Sequence, residues 1–335
     1  MDFYPGIEVP WLSSQMEQLR RTRLAGRFPT GLLIADRRGA GGLWLAHYAA
    51  QVALCRGESP PCGKCRECRQ FLASQHPDFT VIEPIEDSKQ IRVEQIRELT
   101  AELSLTAHGG GAAVALLHPA EAMNANASNA LLKTLEEPRA GLTLILVTAT
   151  PARLAATVLS RCQRLRIGAP SREASIEWLN RNRGEGPWGA VLDVIGEAPF
   201  EAVLLDPTEV ARVAAETFRT LRELVSGRHE AAALAGIAER WAKAEQFELR
   251  LTCIETWITA CIDRAAGAPR ELTELRNGAH LPESSSDMNT AALLRLLDAA
   301  YELRRLRLTS INRGLALEQM LWQLTRARSR MTVAS

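Results

Sequence analysis

The stretch Gly31-Leu32-Leu33-Ile34-Ala35-Asp36-Arg37-Arg38-Gly39-Ala40-Gly41-Gly42-Leu43 decides the fold. Residues 31–35 form a continuous apolar run, the pattern of a strand buried on both faces. Helical periodicity begins at Gly42 and runs to Leu54. A strand, a glycine-rich turn and a helix, in that order, is where α/β proteins put a phosphate-binding loop. A working loop reads G-x-x-x-x-G-K-[ST]. Its backbone N–H groups cradle phosphate, its lysine reaches the β and γ phosphates, and its hydroxyl holds Mg²⁺. Here Asp36 stands at the first glycine position, Gly42 at the lysine position and Leu43 at the hydroxyl position. The carboxylate of Asp36 also repels phosphate. Gly39, Gly41 and Gly42 then read as a tight turn in a degenerate loop, and no ATP is expected to bind.

Working outward, the pattern repeats. Phe79–Ile82, Ala113–Leu117 and Leu142–Val147 read as strands, and Arg164–Ile167 as a short fifth. Between them lie helices. One runs from Val93 to Leu105, with Val93, Ile96, Leu99 and Leu103 on one face. Another runs from Asn124 to Glu137 and is stopped by Pro138. Apolar strands separated by helices predict an α/β domain with a parallel sheet. The third strand ends in Leu117-His118-Pro119-Ala120-Glu121. ATPases of this layout carry Asp-Glu there, for Mg²⁺ and for the attacking water. His118 and Pro119 fill those positions, and Glu121 comes two residues late. Two losses at matching places point to a nucleotide-binding fold that has given up nucleotide chemistry.

After Gly168-Ala169-Pro170 the strand pattern stops. Ser171 to Leu205 reads as two or three short helices broken at Gly184-Glu185-Gly186-Pro187, and Asp206-Pro207 opens a longer one. Helices are expected at about 207–226, 229–244, 247–266, 289–308 and 314–328, with 267–287 as a loop. The expected organisation is α/β followed by all-α. An α/β domain spans 1–168, a small helical domain 169–206 and a helical bundle 207–335. Leu293, Leu296, Leu297, Ala300, Leu303 and Leu306, then Leu315, Leu317, Met320, Leu321 and Leu324, suit a bundle that assembles with partner bundles.

Seven cysteines are present, and Cys55, Cys62, Cys65 and Cys68 fall together as C-x6-C-x2-C-x2-C. Structural zinc takes four tetrahedral ligands, and a C-x2-C turn points two thiolates at one ion. Pro60, Pro61 and Gly63 favour the turns that bring the other ligands round. Saturation by protein leaves no open position, so the zinc is structural. Four free thiols, or His76 as a rival ligand, are the other readings. The chain of 335 residues carries 40 basic and 39 acidic residues, for a net charge of +1, with 46% hydrophobic residues. That excludes wholesale disorder and argues against a free-standing nucleic-acid binder. No apolar run suits a membrane span, and Met1 to Trp11 does not read as a signal peptide, so a cytoplasmic location is expected.

The run Asn129-Ala130-Leu131-Leu132-Lys133-Thr134-Leu135-Glu136-Glu137-Pro138 resembles a signature of bacterial clamp-loader subunits, an AAA+ family. Ser160-Arg161-Cys162 resembles the family's S-R-C motif. The cysteine module followed by His76-Pro77-Asp78 belongs to the same pattern. The resemblance implies an AAA+ parallel-sheet fold with the zinc module inserted at 55–68, a helical lid at 169–206 and an oligomerising collar at 207–335. It implies a part in loading the sliding clamp on primed DNA, within the DNA polymerase III holoenzyme. The ATP-hydrolysing members keep both nucleotide motifs, and this sequence is similar to a member that lacks them. No G-S-x-R-D-A-like run occurs in 169–206, so the nucleotide-sensing arginine is missing. Thr148 matches the polar sensor position, with a structural role only.

By the same resemblance, Arg161 is an arginine finger that reaches the ATP site of a neighbouring subunit. Ser160 orients it and Cys162 packs beneath. The implied partners are the gamma/tau ATPase subunits and the delta subunit in a hetero-pentamer, with primer-template DNA inside and the sliding clamp contacted indirectly. No membrane is involved. Lys133 lies either on a packing and DNA-facing surface or on an ordinary helix face paired with Glu136. Arg304, Arg305, Arg307, Arg313, Arg326, Arg328 and Arg330 face either DNA and neighbours or solvent. Two alternatives are a self-sufficient AAA+ ATPase and a zinc-dependent DNA-binding adaptor.

Overall fold

The computed structural model describes residues 7–85, 89–104, 111–226, 231–269, 288–305 and 312–327. Leu306, Arg307, Arg328, Arg330 and most of the loop expected at 267–287 lie outside the described residues. The chain forms two compact units: Met1–Trp178 with Ala198–Phe200, and Leu179–Glu197 with Glu201–Ser335.

In the first unit, α1 (Ser13–Leu24) leads into β1 (Gly31–Ala35), α2 (Gly42–Leu54), α3 (Arg66–Leu72), β2 (Phe79–Ile82) and α4 (Val93–Ser104). Then come β3 (Ala113–Leu117), α5 (Ala125–Glu136), β4 (Leu142–Thr148), α6 (Ala156–Leu159) and β5 (Gln163–Arg166). The five strands form one parallel sheet in the order β2-β3-β4-β1-β5. Strand β1 lies between β4 and β5, pairing Ile34 with Val147 of β4 and Ala35 with Arg166 of β5. Both β3 and β4 are buried along their whole length, whereas β5 buries only Leu165. This is the covered parallel sheet that the apolar runs predict. It begins β5 one residue earlier than the sequence pattern, and Ile167 N still donates to Ala35 O at 3.0 Å.

Leu33, Leu117, Leu144 and Leu146 of the sheet pack with Ile96 and Leu99 of α4 and Leu131 and Leu135 of α5. Helix α5 starts where Asn124 Oδ1 accepts from Ala127 N at 2.8 Å, a side-chain N-cap. The chain leaves β1 for α2 and returns at the far edge, β2. The carboxyl end of β1 therefore borders the crevice where open α/β sheets bind ligands.

Helix α7 (Arg172–Arg183) carries the boundary between the units, and α8 (Trp188–Ile195) and α9 (Pro199–Ala202) follow. The rest of the second unit is α10 (Pro207–Val225), α11 (Ala231–Lys243), α12 (Phe247–Ala265), α13 (Thr290–Arg305) and α14 (Arg313–Thr325). Asp206 caps α10, its Oδ1 accepting from Thr208 N at 2.9 Å and Glu209 N at 3.2 Å. Leu293, Leu296, Ala300, Leu303, Leu317, Met320, Leu321 and Leu324 are buried in this unit, as the helical periodicity predicts, whereas Leu315 is exposed. Among the described residues, no helix is long and apolar enough to cross a membrane.

Candidate functional site: a filled phosphate loop and an exposed arginine

The loop after β1 is occupied by the chain itself. Asp36 N donates to Thr148 O at 3.0 Å, which ties the loop's start to the end of β4. Asp36 Oδ2 accepts from Gly42 N at 2.9 Å. Gly42 is the first residue of α2, so this N–H is one that a phosphate would use at a helix N-terminus. Here a carboxylate of the same chain accepts from it. The loop carbonyls are engaged too. Gly39 O accepts from Phe200 N at 3.0 Å, and Ala40 O accepts from Trp11 Nε1 at 2.8 Å. Trp11, Trp178 and Phe200 form an aromatic cluster, with Trp178 and Phe200 centroids 4.9 Å apart and Trp11 5.7 Å from Trp178. Gly41 sits at φ +108°, a left-handed conformation suited to glycine, and a Cβ there would lie 2.6 Å from the Phe200 ring.

The residues after β3 also meet partners within the chain. His118 Nδ1 lies 3.7 Å from Glu83 Oε1. Glu121, the late acid, accepts from Ala149 N at 3.3 Å through Oε1. Thr148 is buried, and its hydroxyl accepts from Thr150 N at 3.1 Å.

Arg161 lies near the amino end of β1, beside Gly31, in the turn between α6 and β5, and its side chain is 36% exposed. Its Nη1 donates to Thr157 O at 3.0 Å and to Ser160 Oγ at 3.2 Å. Ser160 Oγ itself donates to Thr157 O at 3.0 Å. Arg161 Nη2 meets Glu136 Oε1 at 2.6 Å. Glu136 thus pairs with Arg161, where the sequence offered Lys133 as a partner. Cys162 is buried beneath, and burial pushes its thiol up to about 11.

The four clustered cysteines come together. Their sulfurs all lie within 4.8 Å of one another, and Cys62 Sγ is 4.0 Å from Cys68 Sγ. A tetrahedral Zn–S distance of about 2.3 Å places sulfurs about 3.8 Å apart, so the donor set fits zinc. Backbone N–H groups also point at the sulfurs. Gly57 N and Cys62 N donate to Cys55 Sγ, Cys65 N to Cys62 Sγ and Cys68 N to Cys65 Sγ, each at 3.3 Å. Such bonds favour the thiolates a metal needs. The N–H groups of Lys64 and Cys65 pull Cys62 down to about 6, while burial pushes Cys55 and Cys68 up. The rival ligand, His76, is turned elsewhere: its Nδ1 accepts from Asp78 N at 3.1 Å.

The arginines of the last two helices are largely committed within the second unit. Arg304 grips Glu255 with Nε at 3.0 Å and Nη2 at 2.9 Å, and reaches Thr252 Oγ1 at 2.8 Å. Arg313 lies over Phe247, Arg326 over Trp322, and Arg305 near Glu302.

Comparison with known proteins now bears on this geometry. A family model described as "DNA polymerase III, delta subunit" matches residues 11–171. The DNA polymerase III subunit delta' of Pseudomonas aeruginosa is 36% identical over 248 residues, covering 72% of this chain and 71% of that one. The chain belongs to the DNA polymerase III delta' family. The delta' subunit of Escherichia coli is 36% identical over 174 residues, so there the match spans about half of each protein. A solved structure of a gamma-subunit-related protein from Thermotoga maritima aligns over 94% of this chain and 100% of its own, at 16% identity and a TM-score of 0.46. The clamp-loader resemblance read from the N-A-L-L-K-T-L-E-E-P and S-R-C motifs is thereby borne out at the level of the delta' family. Sequence reading missed Trp11, Trp178 and Phe200 around the loop, and Glu136 as the partner of Arg161. The rings lie far apart in the chain and carry no motif. Glu136 stood inside a quoted motif, but its partner is distant in sequence.

Proposed function

We propose that this chain is the non-hydrolysing subunit of a clamp loader, helping to load the sliding clamp on primed DNA and lending Arg161 to a neighbouring ATPase subunit. Its partners are gamma/tau and delta subunits in a hetero-pentamer in the cytoplasm, with primer-template DNA held by the assembly. The functional division is the one read from sequence: α/β domain 1–168, lid 169–206 and collar 207–335. The observation that carries this reading is the pairing of a phosphate loop filled by Asp36 with an exposed guanidinium at residue 161.

Phosphoryl transfer builds negative charge on the γ-phosphate oxygens, and a guanidinium supplied in trans stabilises it by about 10³–10⁵ in rate. Ser160 positions Arg161 through the 3.2 Å hydrogen bond, and Cys162 packs below it. A subunit without its own ATP can therefore govern hydrolysis next door. The four cysteines hold a structural zinc that fixes residues 55–68.

The test has two arms. Calorimetry of the isolated chain with ATP gives no binding heat in the micromolar range. In a loader reconstituted with its own ATPase and delta subunits, Arg161→Ala assembles normally but lowers clamp-dependent ATP turnover. Micromolar ATP binding overturns the first half of the reading, and wild-type turnover by Arg161→Ala overturns the second.

A further inference from the structure

We infer that Glu136 is a positioning residue for Arg161: it holds the guanidinium against its own subunit until a neighbour's phosphate takes it. The inference rests on the finger reading of Arg161 and adds a partner to it. The contact is close, with Nη2 2.6 Å from Oε1, and both side chains are partly exposed, 36% and 49%.

Glu136 is the last residue of α5. A carboxylate at a helix C-terminus opposes the helix dipole, so helix stability does not account for it. The guanidinium beside it offsets that repulsion. Packing also brings the two together. Gly31, the first residue of β1, has no side chain, and a Cβ there would lie 2.9 Å from Leu135 Cδ2, 3.0 Å from Arg161 O and 3.3 Å from Cys162 Sγ. Leu135 and Cys162, each adjacent in sequence to one member of the pair, are buried in the same core. The approach of α5 to the Arg161 turn is therefore built into the packing of buried neighbours.

The charge balance follows. A guanidinium has five N–H donors. Two contacts from Nη1 and one from Nη2 engage the chain's own acceptors. While paired with Glu136, the finger projects little net charge, because the carboxylate cancels it at any distance beyond a few ångströms. A γ-phosphate in a neighbouring subunit offers more negative charge and competes for the same guanidinium. An ion pair this exposed is weak, so exchange is easy, and its removal shifts a rate by about two- to fivefold. The pair thus lowers hydrolysis when the neighbouring site is poorly aligned and yields when it closes.

The test uses the reconstituted loader. Glu136→Gln keeps the side chain's size and one acceptor oxygen but removes the charge. ATP turnover without DNA or clamp then rises about two- to fivefold, while fully stimulated turnover stays near wild type. Glu136→Asp, which keeps the charge, stays near wild type in both. The rise disappears when Arg161→Ala is added. An unchanged or lower basal rate in Glu136→Gln overturns the positioning role, as does a rise that survives Arg161→Ala. Should Arg161→Ala alone retain wild-type turnover, the finger reading fails and the Glu136 role falls with it. A drop in Arg161→Ala with a flat Glu136→Gln leaves the finger standing and removes only its holder.

Discussion

Gly42 puts the proposed loss of phosphate chemistry to the test at a single position. It aligns with the lysine position of a phosphate loop, and on the proposed reading restoring lysine should not restore ATP binding. A Cβ at residue 42 would lie 2.6 Å from Asp36 Oδ2 and against Asp36 Cβ, so the new side chain forces out the carboxylate that caps Gly42 N. Gly42→Lys should lose about 1–3 kcal/mol of stability through overpacking, measured by denaturant unfolding, and gain no ATP binding by calorimetry. A variant that binds ATP at wild-type stability would show that the missing lysine alone emptied the site. His47 gives a second residue-scale prediction. Burial on α2, beside the rings of Phe71 and Phe79, pushes its imidazole from 6.5 down to about 4. The unfolded chain binds this proton below about pH 6.5 and the folded chain only below about 4. Stability is then complete above pH 6.5 and declines as pH falls toward 4, by at most about 3 kcal/mol. Glu67, Glu173, Glu209 and Glu239 have lowered values and also lose stabilisation in acid. The difference between wild type and His47→Gln isolates the histidine. His47→Gln should have the flatter profile between pH 7 and 4.5, and parallel profiles would count against the buried neutral imidazole.

At the scale of elements, the sheet was written in its own residues, because strands buried on both faces must be apolar throughout. The helix α1 was not. Its sequence, Ser-Ser-Gln-Met-Glu-Gln-Leu-Arg-Arg-Thr-Arg-Leu, is mostly polar and buries only Leu19, so no apolar stripe announces it. Short α3 was hidden inside the cysteine cluster. Cys65 is its N-cap, with Sγ accepting from Cys68 N at 3.3 Å, so one residue closes the cysteine turn and opens the helix. The coupling predicts what metal removal does. The isolated chain should hold about one zinc by elemental analysis. Stripping it with a chelator should raise hydrogen exchange across 55–72 and lower the melting temperature, while the strand signal of the sheet persists, since its core lies among β1, β3, β4, α4 and α5. Full protection of 55–72 in zinc-free protein would mean that the thiols pack without an ion.

For the whole molecule, the boundary between the two compact units falls inside α7, between Trp178 and Leu179, where no break in the sequence marks it. Charge was legible as a sum but not as a distribution. The 40 basic and 39 acidic residues nearly cancel, and the second unit shows how. Arg250 is buried, with Nη1 on Thr217 Oγ1 at 3.1 Å and Nη2 on Glu216 at 2.9 Å, and its guanidinium lies 5.0 Å from the Trp241 centroid. Arg212 is held by Glu209 at 2.8 Å, and Arg304 by Glu255. Arginines engaged in this way cannot also neutralise phosphates without giving up their partners. DNA affinity arises from unpaired cations that release counterions, and even non-specific binders reach dissociation constants of about 10⁻⁴–10⁻⁶ M at physiological salt. The isolated chain should fall at or beyond the weak end of that range. Fluorescence anisotropy with primer-template DNA at about 0.15 M salt should show no saturation below about 10 µM protein, and lowering the salt should strengthen binding only slightly. On the proposed reading, in which the assembly holds the DNA, the same DNA should bind tightly once the partner subunits are added. Micromolar binding by the chain alone, with a steep salt slope, would instead favour the zinc-dependent adaptor and move the DNA contact onto this subunit.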